Sequence, residues 1–162
     1  MQIALGCDHR GLRLKQMITN LITDIGHTCK DFGCYYDSTG VDYPDFAQKV
    51  AEAVACGDFD CGILVCGSGI GMSMAANKVD GIRAALCHET FSARLARQHT
   101  GANVLCLGQD VLGQELAKEI VQTFLSTEFE GGRHTQRLKK IQALENPGKQ
   151  QSANTLQSIE SG

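Results

Sequence analysis

Short apolar runs alternate along this chain with longer segments whose apolar residues recur every three or four positions, the spacings of buried strands and one-sided helices. The run Ile3 to Gly6 predicts a first strand. Leu14, Met17, Ile18, Leu21, Ile22 and Ile25 predict a helix that starts at Leu12 and stops at Gly26. Thr28 to Phe32 is a weaker second strand leading into a polar loop that reaches Val41. Asp42 stands as an N-cap, with Tyr43 and Pro44 in the first turn of a second helix. The buried stripe of that helix is Phe46, Ala47, Val50, Ala51 and Val54. Gly62 to Val65 is a third strand, apolar on both faces, and the good helix formers Met72 to Lys78 follow it after a glycine-rich turn. Ile82 to Cys87, Glu89 to Gln98 and Asn103 to Leu107 predict strand, helix and strand. Leu112, Leu116, Ile120 and Phe124 stripe the next helix, and Arg133 to Leu144 forms a last, basic one.

Five strands alternating with helices predict an α/β domain with a five-stranded parallel sheet, helices on both faces and right-handed crossovers. Ligands of such sheets bind beyond the carboxyl ends of the strands. The domain spans residues 1–145, and from Asn146 to Gly162 the composition is that of a flexible polar tail.

Composition narrows the class without naming a function. The 162 residues suffice for a full core, and 43% hydrophobic with 20% charged residues is ordinary for a globular domain. No apolar run approaches the ~18 residues of a membrane span. Met1, Gln2 and Ile3 enter a strand without a basic leader, so no secretory signal is expected. A net charge of −3 gives no reason to expect nucleic acid or membrane as a partner. The eight cysteines include no C-x-x-C pair, which points to reduced thiols in a cytoplasmic protein and to no metal site.

Candidate chemistry gathers in Asp60 to Lys78, DCGILVCGSGIGMSMAANK. A strand, the turn Gly67-Ser68-Gly69-Ile70-Gly71 and a helix start leave backbone N–H groups converging on one spot, where the helix dipole adds partial positive charge. A thiolate at that spot is stabilised by the same field. Cys66 is therefore expected to be a catalytic thiol beside an oxyanion hole. The glycine pattern alone is weak, because a dinucleotide fingerprint would need its third glycine at Met72. Glu89 keeps that alternative open as a mimic of the ribose-binding acid. A P-loop lacks its G-K-[ST], and a C-x5-R phosphatase loop would need arginine where Met72 stands.

Other residues carry two readings on sequence alone. Asp8 and His9 sit at a strand carboxyl end, but Asp8 could merely cap the first helix and His9 could be an ordinary loop residue. His99 continues the helix face of Phe91 and Leu95, as a core histidine would. Ser68 has an N-cap reading, Tyr43 a packing one and Thr100 a helix-end one. Arg133 and Arg137 lie one turn apart and can converge on a dianion, or belong to a solvated face with Lys139 and Lys140. Cys66, His99 and Asp8 could also make a hydrolase triad, and a non-catalytic sugar-phosphate or nucleotide module remains a third class.

The segments GCDHRG at 6–11, DYPDFA at 42–47, CGSGIGMSMAANK at 66–78, RQHTGANVL at 97–105 and EGGRHTQRL at 130–138 resemble type B ribose-5-phosphate isomerases, whose relatives include galactose-6-phosphate isomerase subunits. The resemblance implies a three-layer Rossmann-like fold and a cofactor-free aldose–ketose isomerase of the pentose phosphate pathway. It also implies a homodimer or homotetramer with active sites shared between subunits. Carried over by position, it makes Cys66 the base that moves a proton between C1 and C2 of the open sugar. Gly67, Gly69, Ile70 and Gly71 supply N–H groups to the enediolate, and Ser68 assists. Asp8 and His99 open the ring, His9, Arg133 and Arg137 hold the phosphate, and Tyr43 lines the pocket. Met72 stands where one branch of the family has a glutamate base, so the resemblance is to the cysteine branch. Two positions depart from the pattern: Thr100, where relatives commonly carry asparagine, and Asp110, where several carry an arginine that reaches the phosphate.

Overall fold

The computed structural model describes residues 1–36 and 40–145. The expected flexible tail, 146–162, and part of the expected polar loop, 37–39, lie outside the described residues. The elements follow the order β1 Gln2–Cys7, α1 Leu12–Asp24, β2 Thr28–Asp31, α2 Tyr43–Ala55, β3 Cys61–Cys66, α3 Ile70–Ala76, β4 Ala84–Leu86, α4 Thr90–Thr100, β5 Val104–Gly108, α5 Gln114–Ser126 and α6 Arg133–Glu145. A single 3₁₀ turn, His9–Gly11, joins β1 to α1.

All pairings in the sheet are parallel, in the order β2-β1-β3-β5-β4. β3 is central and fully buried because its two faces feed two separate cores, which is why its sequence is apolar without alternation. Ile63 and Val65 join Ile3, Leu5, Leu105 and Leu107 against α1 and α5, with Ile18, Ile22, Ile120 and Phe124 as the largest helix contributions. Leu64 and Cys66 face the other way with Ala4, Val104 and Cys106, against Ala47, Val50, Ala51 and Val54 of α2 and Met72 and Ala76 of α3. The chain leaves β1 toward β2 on one side and later returns to β3 on the other. That reversal puts a topological switch point between the carboxyl ends of β1 and β3, where open α/β sheets bind ligands.

Several expectations change at this level. α3 starts at Ile70 rather than Met72 and ends at Ala76 rather than Lys78, and β4 is only three residues long. Leu116 is 37% exposed; the buried stripe of α5 runs through Ala117, Ile120, Val121 and Phe124. Asp42 occupies the N-cap position of α2 without a side-chain hydrogen bond to it. The face carrying Phe91, Leu95 and His99 is not core: of α4 only Ala93 is buried, and Phe91 is exposed. The Glu89 carboxylate accepts the N–H groups of Phe91 and Ser92, capping α4, which accounts for it without a ribose.

One charge is enclosed in the first core. Lys15 is 2% exposed and donates to both oxygens of Asp31 (2.8 and 2.7 Å) and to the Cys34 carbonyl (2.8 Å). It thereby ties α1 to the carboxyl end of β2. Cys7, behind the same group, is a thiol that burial pushes up to about 12, and so is chemically quiet. Lys15→Met keeps the stem but strands the Asp31 carboxylate and the Cys34 carbonyl, and should cost about 2–3 kcal/mol in equilibrium urea unfolding. A loss under about 0.5 kcal/mol would mean that the pair behaves like one on the surface.

Candidate active site

The carboxyl ends of three adjacent strands, β1, β3 and β5, build one cavity of about 360 Å³, lined by Asp8, Arg10, Tyr43, Cys66, Gly67, Ser68, Gly71, Asp110 and Val111. Cys66 is the last residue of β3 and 5% exposed. Its sulfur accepts a hydrogen bond from the Gly69 N–H (3.0 Å). That donor is therefore aimed at the sulfur itself. Burial raises the Cys61 thiol to about 11, and pushes those of Cys87 and Cys106 upward as well.

The glycines of the loop have distinct physical reasons. Gly69 is the N-cap of α3 at φ 78°, and a Cβ there would lie 2.9 Å from the Leu107 carbonyl carbon. At Gly71 a Cβ would lie 2.6 Å from Tyr43 Cζ, so the missing side chain is what lets the Tyr43 ring rest on α3. Ser68 is not the N-cap, which is Gly69; its Oγ accepts from the Ile70 N–H (3.3 Å) while the residue lines the cavity. Ile70 is exposed and, like Gly69, is not among the lining residues.

The loop is clamped from both sides. The Asp8 N–H donates to Val65 O (3.2 Å), the Gln109 N–H to Cys66 O (2.9 Å) and the Asp110 N–H to Gly67 O (2.9 Å). Asp8 also accepts from the N–H groups of Arg10 (2.9 Å) and Gly11 (3.0 Å), so it caps the 3₁₀ turn and borders the cavity at once. His9 turns aside: its Nδ1 accepts the Val41 N–H (3.3 Å), and it does not line the cavity.

The remaining sequence candidates are not brought to Cys66 within one chain. His99, on α4, stacks on His134 of α6, ring centroids 4.3 Å apart and planes 8° from parallel. Glu130 Oε2 lies 3.8 Å from His99 Nε2 and 3.7 Å from His134 Nε2. His134 is 3% exposed, its Nδ1 lacks a partner, and the Arg133 Nε–H points at its Nε2 (3.4 Å). Burial, then His99, Arg133 and Arg137, hold the His134 imidazole below the usual histidine range, with Glu130 opposing. The ligand atoms of His99, Glu130 and His134 lie within 4.8 Å of one another. Parallel rings direct their in-plane lone pairs side by side rather than at a common point, so these residues do not make a good metal cradle. Arg133 and Arg137 are exposed on α6. Thr100 Oγ1 donates to Ala96 O (2.6 Å) and borders a separate cavity of about 500 Å³ under Ile141 and Leu144. That cavity is larger than the Cys66 cavity but includes neither a thiol nor a histidine.

Sequence reading missed Arg10 as a lining residue, and Glu130 and His134 as the partners of His99. Glu130 and His134 are four apart, a spacing that could have flagged them. For Arg10 the strand order was needed.

With this geometry in hand, comparison with known proteins is direct. The model of the ribose/galactose isomerase family matches residues 3–141. The chain belongs to that family. It is 50% identical to ribose-5-phosphate isomerase B of Escherichia coli over 144 residues, 89% of this chain and 96% of the relative. It is 46% identical to D-erythrulose-4-phosphate isomerase of Pectobacterium atrosepticum over 153 residues, 93% and 99% of the two chains. The solved ribose-5-phosphate isomerase B of Clostridium thermocellum is 49% identical and superposes with a TM-score of 0.89, covering 91% of this chain and 99% of its own. The α/β fold with a five-stranded parallel sheet, expected from the alternation of elements, is the fold of these family structures. Among the described residues no helix is long and apolar enough to cross a membrane.

Because Gly71 exists to admit the Tyr43 ring, Gly71→Ala should displace Tyr43 from the cavity. Alanine is the better helix former by about 1 kcal/mol, so Tm should hold or rise while kcat/KM falls about tenfold or more. Adding Tyr43→Ser should bring no further loss. A Gly71→Ala enzyme with unchanged kcat/KM would remove Tyr43 from the site.

Proposed function

We propose that this family member interconverts ribose 5-phosphate and ribulose 5-phosphate, with Cys66 as the base that carries the proton between C1 and C2. The observation that carries the reading is the Cys66 sulfur at the end of β3, almost enclosed, under the Gly69 N–H, in a cavity shared with Asp8, Ser68 and Tyr43.

Aldose–ketose isomerisation removes a proton from a carbon next to a carbonyl and returns it one carbon away, leaving an enediolate between the two steps. A general base must be held against the carbon whose proton it takes, and the Gly69 N–H fixes the Cys66 sulfur at the cavity. As the thiolate takes the proton, negative charge moves onto the sugar oxygen, where the backbone of the Gly67–Gly71 turn and the start of α3 favour it. In this reading Ser68 Oγ hands on a hydroxyl proton and Asp8 accepts one from the ring hydroxyl during opening; both line the cavity, and two N–H bonds hold Asp8 there. Tyr43 covers the sugar from the α2 side.

His99, Arg133 and Arg137 enter through assembly. We take the active unit to be a homodimer or homotetramer in which α4 and α6 of one subunit complete the cavity of another. Exposed Phe91 on α4 and exposed Arg133 and Arg137 on α6 support this reading. His99 then acts on the ring oxygen, while Arg133 and Arg137 hold the phosphate. A cysteine hydrolase is the weaker reading, since the relatives at about 50% identity are sugar-phosphate isomerases.

A coupled assay on ribose 5-phosphate tests both parts. Cys66→Ala should lose at least about a hundredfold in turnover while staying folded, and Cys66→Ser should do little better. Mixed and refolded Cys66→Ala and His99→Asn subunits should regain activity, to about a quarter of wild type for random dimers, because half of the dimers are mixed and carry one intact site of two. Near-wild-type turnover of Cys66→Ala would remove the base. A mixture as inactive as its parents would remove the shared site.

A further inference from the structure

The Arg10 guanidinium and the Asp110 carboxylate pair with each other across the mouth of the Cys66 cavity. Arg10 comes from the turn after β1 and Asp110 from the loop after β5, the two strands that flank β3. They meet over Gly67, where a Cβ would lie 2.8 Å from both Arg10 Nε and Asp110 Oδ2. Both backbones are fixed, Arg10 through its N–H on Asp8 and Asp110 through its N–H on Gly67 O. Both side chains stay about half exposed.

We infer that Arg10 is a binding residue for the phosphate of the substrate, and that Asp110 is the internal anion which holds its guanidinium at the cavity mouth until that phosphate displaces it. The inference rests on the isomerase reading for the identity of the substrate.

Charge makes the case. A sugar phosphate brings a dianion, and Arg10 is the only cationic side chain lining this cavity among the described residues. Asp110, alone in such a cavity, would repel the substrate; paired with Arg10 it is neutralised before the substrate arrives. An ion pair this exposed contributes little to folding, so breaking it is inexpensive. A phosphate offers a guanidinium two parallel charge-assisted bonds, which a carboxylate held by one nitrogen does not match. The cation reaches the cavity mouth from the β1 side of the loop.

The test compares the two members of the pair in the full-length protein, with Tm measured for each variant. Arg10→Gln should raise KM for ribose 5-phosphate about ten- to a hundredfold with a smaller change in kcat, and Arg10→Lys should recover part of the loss. Asp110→Asn should lower KM, by up to about fivefold, since it removes the competing anion. Calorimetric titration with inorganic phosphate should follow the same order: weaker in Arg10→Gln, stronger in Asp110→Asn. A pair that only shapes the loop would make both variants worse by the same factor, and that result overturns the proposal. So does an Arg10→Gln enzyme whose KM and phosphate affinity match wild type. A wild-type protein inactive on every sugar phosphate would sink the isomerase reading, while the phosphate titration would still decide the role of Arg10.

Discussion

The structure depends on how the loop after β3 is clamped between its neighbours. Strand β3 delivers Cys66 to the carboxyl edge of the sheet, and the residues just beyond β1 and β5 then bond the loop backbone from either side. Val65 O, Cys66 O and Gly67 O are all taken by N–H groups of those flanking segments. With its carbonyls occupied outward, the loop can turn an N–H inward, and the Gly69 N–H meets the sulfur. Glycine at 69 follows from the positive φ that this turn requires, and the cores on both faces of β3 leave the strand no room to shift.

Only some of the candidate residues meet at this loop in a single chain. Asp8, Ser68, Tyr43 and Cys66 converge, whereas His99, Arg133 and Arg137 sit on a second surface formed by α4 and α6. That surface has its own internal order: His134 is buried under His99, and Glu130 faces both rings. Family members act on small sugar phosphates, and a cavity formed where two subunits meet would exclude water from an enediolate better than either half. The proposed sharing of sites rests on that need and on exposed Phe91, on the helix that carries His99.

Much of this was legible in the sequence because the chain follows the α/β pattern closely. The apolar runs gave the five strands, and the Cys66 turn stood out by its glycines. What the sequence could not supply was strand order. Knowing that β1 and β5 both border β3 is what brings Arg10 and Asp110 together, although they are a hundred residues apart. Periodicity also could not say what covers a helix face: the Phe91–Leu95–His99 stripe is helical as expected, yet it faces out of the core. Leu116 failed for a related reason, since Ala117 and Val121, small and less conspicuous, carry the buried side of α5. Asp8 caps the turn and lines the cavity at once, so its capping does not bar it from a role in the site.

The central claim is that the Cys66 sulfur moves a carbon-bound proton. Incubating the enzyme with ribose 5-phosphate in deuterium oxide and following the sugar by NMR tests it directly. A thiolate that takes the proton from C2 and returns one at C1 can exchange it with solvent on the way, so deuterium should appear at those carbons in the wild type. A folded Cys66→Ala protein should leave them protonated. Deuterium entering at the wild-type rate without the thiol would contradict the account.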